Sequence, residues 1–477
     1  MALLAAFGVQ HASASSLQAV GADVQYQAAA GETNSLEVKI EGSEYVFTDA
    51  PGVTITAGAG CSVTLGIGRC PVGPTRLQVN LSDGDDTARI DQSIHSPLTN
   101  IHILGGPGAD RLTNDSAVNC QQNGEAGNDS LTGGPASDYL LGDDGDDLIS
   151  GGPGQDQLFD GPGTDQVEGG PGEDGFRPTS APDGADRFRG GPDRDRIDFF
   201  DRTIPVTVSL NDVADDGASC PGAGCENDDI GSDIERVSGT RGPDSLTGSA
   251  GPESISGDDG DDVINGLDGP DDLSGGVGND TVSGGGGNDE LNGGSGADAL
   301  EGGAGDDVVR PDFTDQSTDT VGGGPGFDMT ETDLYFEPVR ISLNGLADDG
   351  IRNPDVTSPP DNVKGDIEGL FGSDGADLLT GNGSENLLIG GGGADRLLGR
   401  GGPDEIQGGR GADVLDGGRG PDLLVGGSGP DRFKSRDSRR DELRCGAGVD
   451  RVVADRKDRR GPDCDRVRVA RGKGKKR

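Results

Sequence analysis

The sequence predicts an all-β chain wound as a repeat solenoid, with a small β region ahead of the repeats. Three observations lead there: a nine-residue period held in register, one aliphatic side chain per period, and a composition that denies the chain an ordinary globular core. Of 477 residues only 30% are hydrophobic and 3% aromatic, Trp is absent, and 90 Gly and 27 Pro accompany a formal net charge of -47. Gly and Pro make up about a quarter of the chain, which borders on the range of disordered sequences, and the charge opposes compaction. A disordered tract has no need to keep register, so the period favours a solenoid whose charge is cancelled by bound ions.

In chain order, residues 1–14 read as a signal peptide: an apolar run from Leu3 to Val9 precedes Ala12-Ser13-Ala14, an A-x-A cleavage pattern. The basic segment that normally precedes such a run is missing, as a start codon placed too far downstream would leave it. No run approaches the roughly 18 apolar residues of a membrane span. Residues 15–104 form the N-terminal β region or cap. There "SLEVKIEG", "EYVFTDA", "VTITA", "CSVTLGI" and "TRLQVNL" alternate apolar and polar residues between Gly or Pro breaks. A solenoid needs its apolar end covered, and this region is placed to cover it.

Residues 239–310 divide without a gap into GTRGPDSLT, GSAGPESIS, GDDGDDVIN, GLDGPDDLS, GGVGNDTVS, GGGGNDELN, GGSGADALE and GGAGDDVVR. Positions 1 and 4 are Gly, position 6 is Asp except for Glu253, and position 8 is Leu, Ile or Val. The frame also runs from Gly124 to Arg177 and from Gly372 to Lys434, with decayed copies at 81–89, 105–113 and 182–198. The chain thus reads as a first array at 105–198, a second at 239–310 and a third at 372–434. An insert at 199–238 and another at 311–371 separate them.

Each position has a physical task. Glycines at 1, 2 and 4 permit positive-φ turns and close backbone approach, and the turn aims carbonyls and the position-6 carboxylate to one side. The last three positions make a very short strand whose middle side chain faces opposite to its neighbours. Leu131, Leu140, Ile149, Leu158, Val167 and Phe176 therefore stack inward in the first array. Leu246, Ile255, Ile264, Leu273, Val282, Leu291, Leu300 and Val309 do so in the second, and Leu379, Leu388, Leu397, Ile406, Leu415, Leu424 and Phe433 in the third. One apolar residue in nine cannot offset a backbone entropy of roughly 1 to 2 kcal/mol per residue. Calcium is the natural supplement, since it accepts six to eight oxygen ligands in forgiving geometry, whereas magnesium dehydrates reluctantly. Ions bound only by the folded form stabilise it by linkage.

GGxGxDxUx, as in GGVGNDTVS and GGSGADALE, resembles the RTX, or haemolysin-type, calcium-binding repeat. The resemblance implies a parallel β-roll, or β-helix solenoid, in which two nonapeptides make one coil. Each calcium then sits between the turn of one unit and that of the unit two further on. The carboxylate ligands it implies are Asp129, Asp138, Asp147, Asp156, Asp165 and Asp174 in the first array. In the second they are Asp244, Asp262, Asp271, Asp280, Asp289, Asp298 and Asp307, and in the third Asp377, Asp395, Asp404, Asp413, Asp422 and Asp431. Glu253 and Asn386 depart from the pattern, so sites there are expected to be weak or absent. The expected load is on the order of fifteen Ca2+ ions, whose charge would offset much of the acidic excess. In the wider family such a roll follows toxin, protease, lipase, adhesin or epimerase domains. This chain is more similar to exported bacterial calcium-binding repeat proteins with no obvious catalytic module.

The inserts are a duplication: "PVTVSLNDVADDG" at Pro205 matches "PVRISLNGLADDG" at Pro338, and "DIERV" at Asp233 matches "DIEGL" at Asp366, both offset by 133 residues. Each reads as strand, acidic loop, strand, continuing the solenoid through a longer coil. Asp215, Asp216, Asp348 and Asp349 either bind an extra ion or form solvated acidic loops. Residues 435–477 are a basic C-terminal cap and tail. From Lys434 onward 17 Lys or Arg face 8 Asp or Glu, and "CGAGVDRVV" at Cys445 is a last echo of the repeat. The tail suits an anionic cell-wall or matrix polymer, the protein's own acidic face, or plain solubilisation; without aromatic interleaving, nucleic acid is not expected. The cysteines pair closely, Cys61 with Cys70, Cys220 with Cys225 and Cys445 with Cys464, leaving Cys120 over. Such pairs fit disulfides in an oxidising, exported setting, and no CxxC or Cys/His cluster accompanies them to favour zinc.

Histidine occurs only at 11, 95 and 102, and neither HExxH nor GxSxG is present. That removes zinc-protease, lipase and serine-hydrolase schemes. A calcium-dependent carbohydrate lyase or epimerase needs no histidine, but it wants aromatic platforms, and the chain has 4 Tyr and 12 Phe. The function expected is calcium binding without catalysis, in a secreted, extracellular or cell-surface-associated protein; a surface adhesion protein presenting its loops to a partner, and the lyase, are the alternatives.

Overall fold

The computed structural model describes residues 14–95, 97–218, 226–313, 317–331, 337–351 and 360–469. The signal-peptide reading, the Cys220–Cys225 pair and the end of the basic tail lie essentially outside them. Every regular element among the described residues is a strand, and none is a helix long and apolar enough to cross a membrane. The chain divides into two compact units, Met1–Thr240 and Arg241–Arg477.

The first unit opens with antiparallel strands. Ser15–Val20 pairs with Asp23–Gln27, and Ser35–Glu41 with Glu44–Thr48, which pairs in turn with Ile67–Pro71. Gly21 and Gly42 take φ of 62° and 65° at the two hairpin turns, where a left-handed residue lets the strands reverse with their natural twist. Parallel pairing begins at once. Asp23–Gln27 is followed on one face by Arg76–Asn80, Asn100–Leu104, Cys120–Ala126 and Tyr139–Asp144. On the opposite face Ser35–Glu41 is followed by Thr87–Ile90, Arg111–Asn114 and Ser130–Thr132. The coil stack therefore starts inside the region read from sequence as a cap, well before the nonapeptides become regular.

Parallel ladders also build the second unit, and across residues 239–310 they form two facing sheets. Ser254–Asp259, Asp272–Val277, Glu290–Ser295 and Val308–Arg310 succeed one another on one face, and Ser245–Thr247, Val263–Asp268, Thr281–Gly286 and Ala299–Ala304 on the other. Ile255 pairs with Leu273, Leu273 with Leu291 and Leu291 with Val309, so that position 8 stacks on position 8 at 18-residue intervals. All the position-8 side chains named above are buried. Each coil buries two side chains between the sheets, a parallel β-roll with a core one residue thick.

The inserts keep the coil going. Val206–Ser209 turns back antiparallel on Gly217–Ala218, and Val339–Ser342 on Gly350–Ile351. Asp216 and Asp349 are buried, and each fills both its carboxylate oxygens with backbone amides: Ser209 and Ile230 donate to Asp216, Ser342 and Val363 to Asp349. These two are braces that pin the hairpin to the next strand, neither solvated nor free for an ion. In the first unit a buried ion pair joins Arg202 and Glu226, whose side chains are 1% and 0% exposed. Glu226 also accepts the amides of Ala218 and Asp183, and Arg202 lies over the Phe199 ring. Disulfides join Cys61 to Cys70 and Cys445 to Cys464, while Cys120 is free and buried.

Candidate metal centre

The repeat turns arrange the position-6 carboxylates in columns. Asp147 Oδ1 accepts the Asp129 amide at 2.7 Å, Asp165 that of Asp147 at 2.6 Å, and Asp156 that of Asp138 at 2.7 Å. The same bond links Asp244 to Asp262, Asp262 to Asp280 and Asp280 to Asp298. A parallel column runs from Asp271 to Asp289 and Asp307, and a third from Asp377 through Asp395, Asp413 and Asp431. Asp174 and Asp404 hold the same place, accepting from Asp156 and Asn386, and Asp422 accepts from Asp404. One oxygen of each carboxylate is thus spent on the backbone one coil away.

The other oxygen is the informative one. Oδ2 of Asp129, Asp147, Asp156, Asp165 and Asp174 is buried with no hydrogen-bond partner, as is Oδ2 of Asp262, Asp271, Asp280, Asp289, Asp307, Asp395, Asp404, Asp413, Asp422 and Asp431. Carbonyl oxygens converge on the same space. A β-carbon on Gly275 would lie 2.4 Å from Asp280 Oδ2 and 2.6 Å from the Gly293 carbonyl. Gly278 has φ of 149°, and its β-carbon would meet the Gly260 carbonyl at 1.4 Å. Glycine at positions 1 and 4 therefore leaves a cradle lined by carboxylate and carbonyl oxygens, in which the Oδ2 atoms named above accept no hydrogen bond.

Acceptors packed against acceptors are unstable unless protonated or bridged by a cation. Burial pushes the carboxyl of Asp129 up to about 7, of Asp165 to about 8 and of Asp395 to about 7, against the help of one backbone amide each, with neighbouring carboxylates adding to the rise. The donor set is oxygen alone, carboxylate and carbonyl, which suits a hard divalent cation with many ligands and flexible geometry, namely calcium.

Two expected sites differ in detail. Asp138 Oδ2 accepts the Gly134 amide and Asp377 Oδ2 that of Ser373, so both carboxylates are more fully engaged than their neighbours. Glu253 turns its longer side chain back to the Ser249 amide and hydroxyl, and Asn386 accepts the Asn382 amide at its own turn.

The columns are longer than the regular repeat. Asp86 accepts from Asn34, Asp110 from Asp86 and Asp129 from Asp110. Asp186 accepts from Asp165, Asp228 from Asp186, Asp195 from Asp174 and Glu235 from Asp195. In the second unit Asp319, Asp361, Asp328, Glu368, Asp441 and Asp450 continue the series. The signal that finds them is an acidic residue two places before a buried side chain, as in Asp186-Arg-Phe188 or Asp441-Glu-Leu443, even where the glycines have gone. Asp160 was missed as well; it stands at position 1, where every other unit of the regular frame has glycine.

The fold and its turns define a class: a parallel β-roll whose turns present unpaired carboxylate and carbonyl oxygens to a hard cation. A family model for the RTX calcium-binding nonapeptide repeat matches residues 123–149, 141–176, 229–264, 238–273, 247–282, 274–309, 371–406 and 398–433. Within the three arrays, residues 123–176, 239–309 and 372–433 are matched as RTX calcium-binding nonapeptide repeats. No curated protein matches the chain.

Proposed function

We propose that this protein is a secreted calcium-loaded β-roll that binds ions and does no catalysis, and that calcium supplies the stability its thin core lacks. The observation that carries the reading is the row of buried Oδ2 atoms that face carbonyls and have no donor. The ligands would be the position-6 aspartates, each shared between one turn and the turn one coil further, with the load on the order of fifteen ions. Export is supported by the apolar Leu3–Val9 segment with its A-x-A pattern and by the Cys61–Cys70 and Cys445–Cys464 disulfides, since such bonds persist in oxidising compartments.

Circular dichroism of the full chain in EDTA, followed by calcium and magnesium titrations, tests this directly. The expected result is a weak β signal in EDTA that rises cooperatively with calcium and not with magnesium. A full β signal in EDTA that calcium leaves unmoved would overturn the proposal.

A further inference from the structure

Among the described residues, one group of three carboxylates stands close enough to grip a single ion: Asp160, Asp165 and Asp186, each offering an oxygen within 4.8 Å of the others. Asp165 and Asp186 are position-6 residues of successive coils, joined by the usual bond from the Asp165 amide to Asp186 Oδ1 at 2.7 Å. Asp160 is different in kind. It occupies position 1, where the other units keep glycine because a β-carbon there points into the cradle. Its side chain therefore enters the space that the other turns leave open.

The three residues are 1% exposed or less in each case. Asp160 Oδ1 accepts the Gly161 amide at 2.8 Å, while its Oδ2, like those of Asp165 and Asp186, has no partner. Asp183 and Glu226 add negative charge nearby and Arg202 adds positive charge; Arg202 Nε and Nη1 are bound to the Thr179 carbonyl and Glu226, and its Nη2 makes no hydrogen bond to the three carboxylates. Three unpartnered buried carboxylate oxygens at this spacing have the donor type and separation of a ligand set for one hard cation.

We propose that Asp160, Asp165 and Asp186 form a three-carboxylate calcium site that fills at lower free calcium than the two-carboxylate turns around it. This rests on the reading of the repeats as calcium sites, and extends it by assigning a ligand outside the nonapeptide pattern. A third anionic ligand raises the charge at the ion, and ligand charge count is a main determinant of calcium affinity in oxygen sites. The turn at Asp160 then holds its ion when the others have lost theirs.

Calcium bound to the full chain is counted by equilibrium dialysis at buffered free calcium for wild type, Asp160→Gly and Asp160→Asn. Asp160→Gly restores the residue that the repeat normally carries, so folding in calcium is retained and is checked by circular dichroism. The first ion is expected to bind on the order of tenfold more weakly in both variants, with the saturating count unchanged. One additional ion at saturation in Asp160→Gly would mean that the Asp160 carboxyl plugs the cradle as a neutral acid, and the proposal would fall. Identical first steps in wild type and variants overturn it too, while leaving the wider calcium reading intact. Wild type that takes up no calcium at millimolar concentration overturns both.

Discussion

A glycine in these turns is chosen for where its missing β-carbon would be. Gly278 combines φ of 149° with a β-position 1.4 Å from the Gly260 carbonyl, so any side chain must push one coil off the next. Gly383, in the weakest unit of the third array, has nothing within 4 Å of its β-position. Gly278→Ala is therefore expected to cost on the order of a few kcal/mol and to raise the calcium midpoint of folding, while Gly383→Ala stays within about half a kcal/mol. Calcium titrations followed by circular dichroism check the pair; equal effects would show that these glycines are retained for something other than coil spacing. At this scale the sequence was most legible. Asp129, Asp280 and Asp413 could be placed because glycine, aspartate and an aliphatic residue recur together. Asp160 could not, since a side chain at position 1 reads as decay until its carboxylate is seen beside Asp165 and Asp186.

Strands and turns show where legibility ends. The period of 18 residues per coil stretches to 21 between Asp165 and Asp186 and to 42 between Asp186 and Asp228, yet the same amide-to-carboxylate bond spans every step. A fixed nine-residue window cannot follow such steps, because inserted chain leaves the coil and returns while the aspartate keeps its place. Where the regular glycines thin out, side chains take over. The buried Arg202–Glu226 pair holds the first insert by joining the Thr179 carbonyl to the Ala218 and Asp183 amides. Breaking a buried pair leaves a charge unmatched, so Glu226→Ala is expected to destabilise the first unit by about 3–5 kcal/mol. That loss should persist at saturating calcium, and a thermal melt in excess calcium measures it; a melt unchanged from wild type would remove the pair from the account of that coil.

Across the whole molecule the acidic columns set the response to pH. Burial raises the folded-state carboxyls of Asp129, Asp156 and Asp262 to about 7, against an unfolded value of about 3.9. The metal-free fold thus binds protons more tightly than the unfolded chain. Its stability is greatest below about pH 4 and is lost as pH rises toward 7, where the buried groups must ionise without a counterion. Calcium reverses the trend, since it binds the ionised form. In EDTA the β signal should fall between pH 4 and pH 8, and over the same range the calcium midpoint should move to lower concentration. A metal-free chain that gains β structure on going alkaline would contradict the carboxylate columns. The net charge of -47 announced that counterions were needed, but only the coil geometry shows that one oxygen per aspartate is already spoken for.

Cys120 gives the fold a clock. Its amide donates to Asp138 Oδ1 at 2.6 Å, at the head of one carboxylate column, and its free thiol is buried, with burial pushing it well above the ordinary thiol range. A thiol-directed dye cannot reach it while that coil is closed, and can as soon as the coil opens. The rate of labelling after a chelator is added would time the unwinding of this one turn, separately from the averaged signal of all the others.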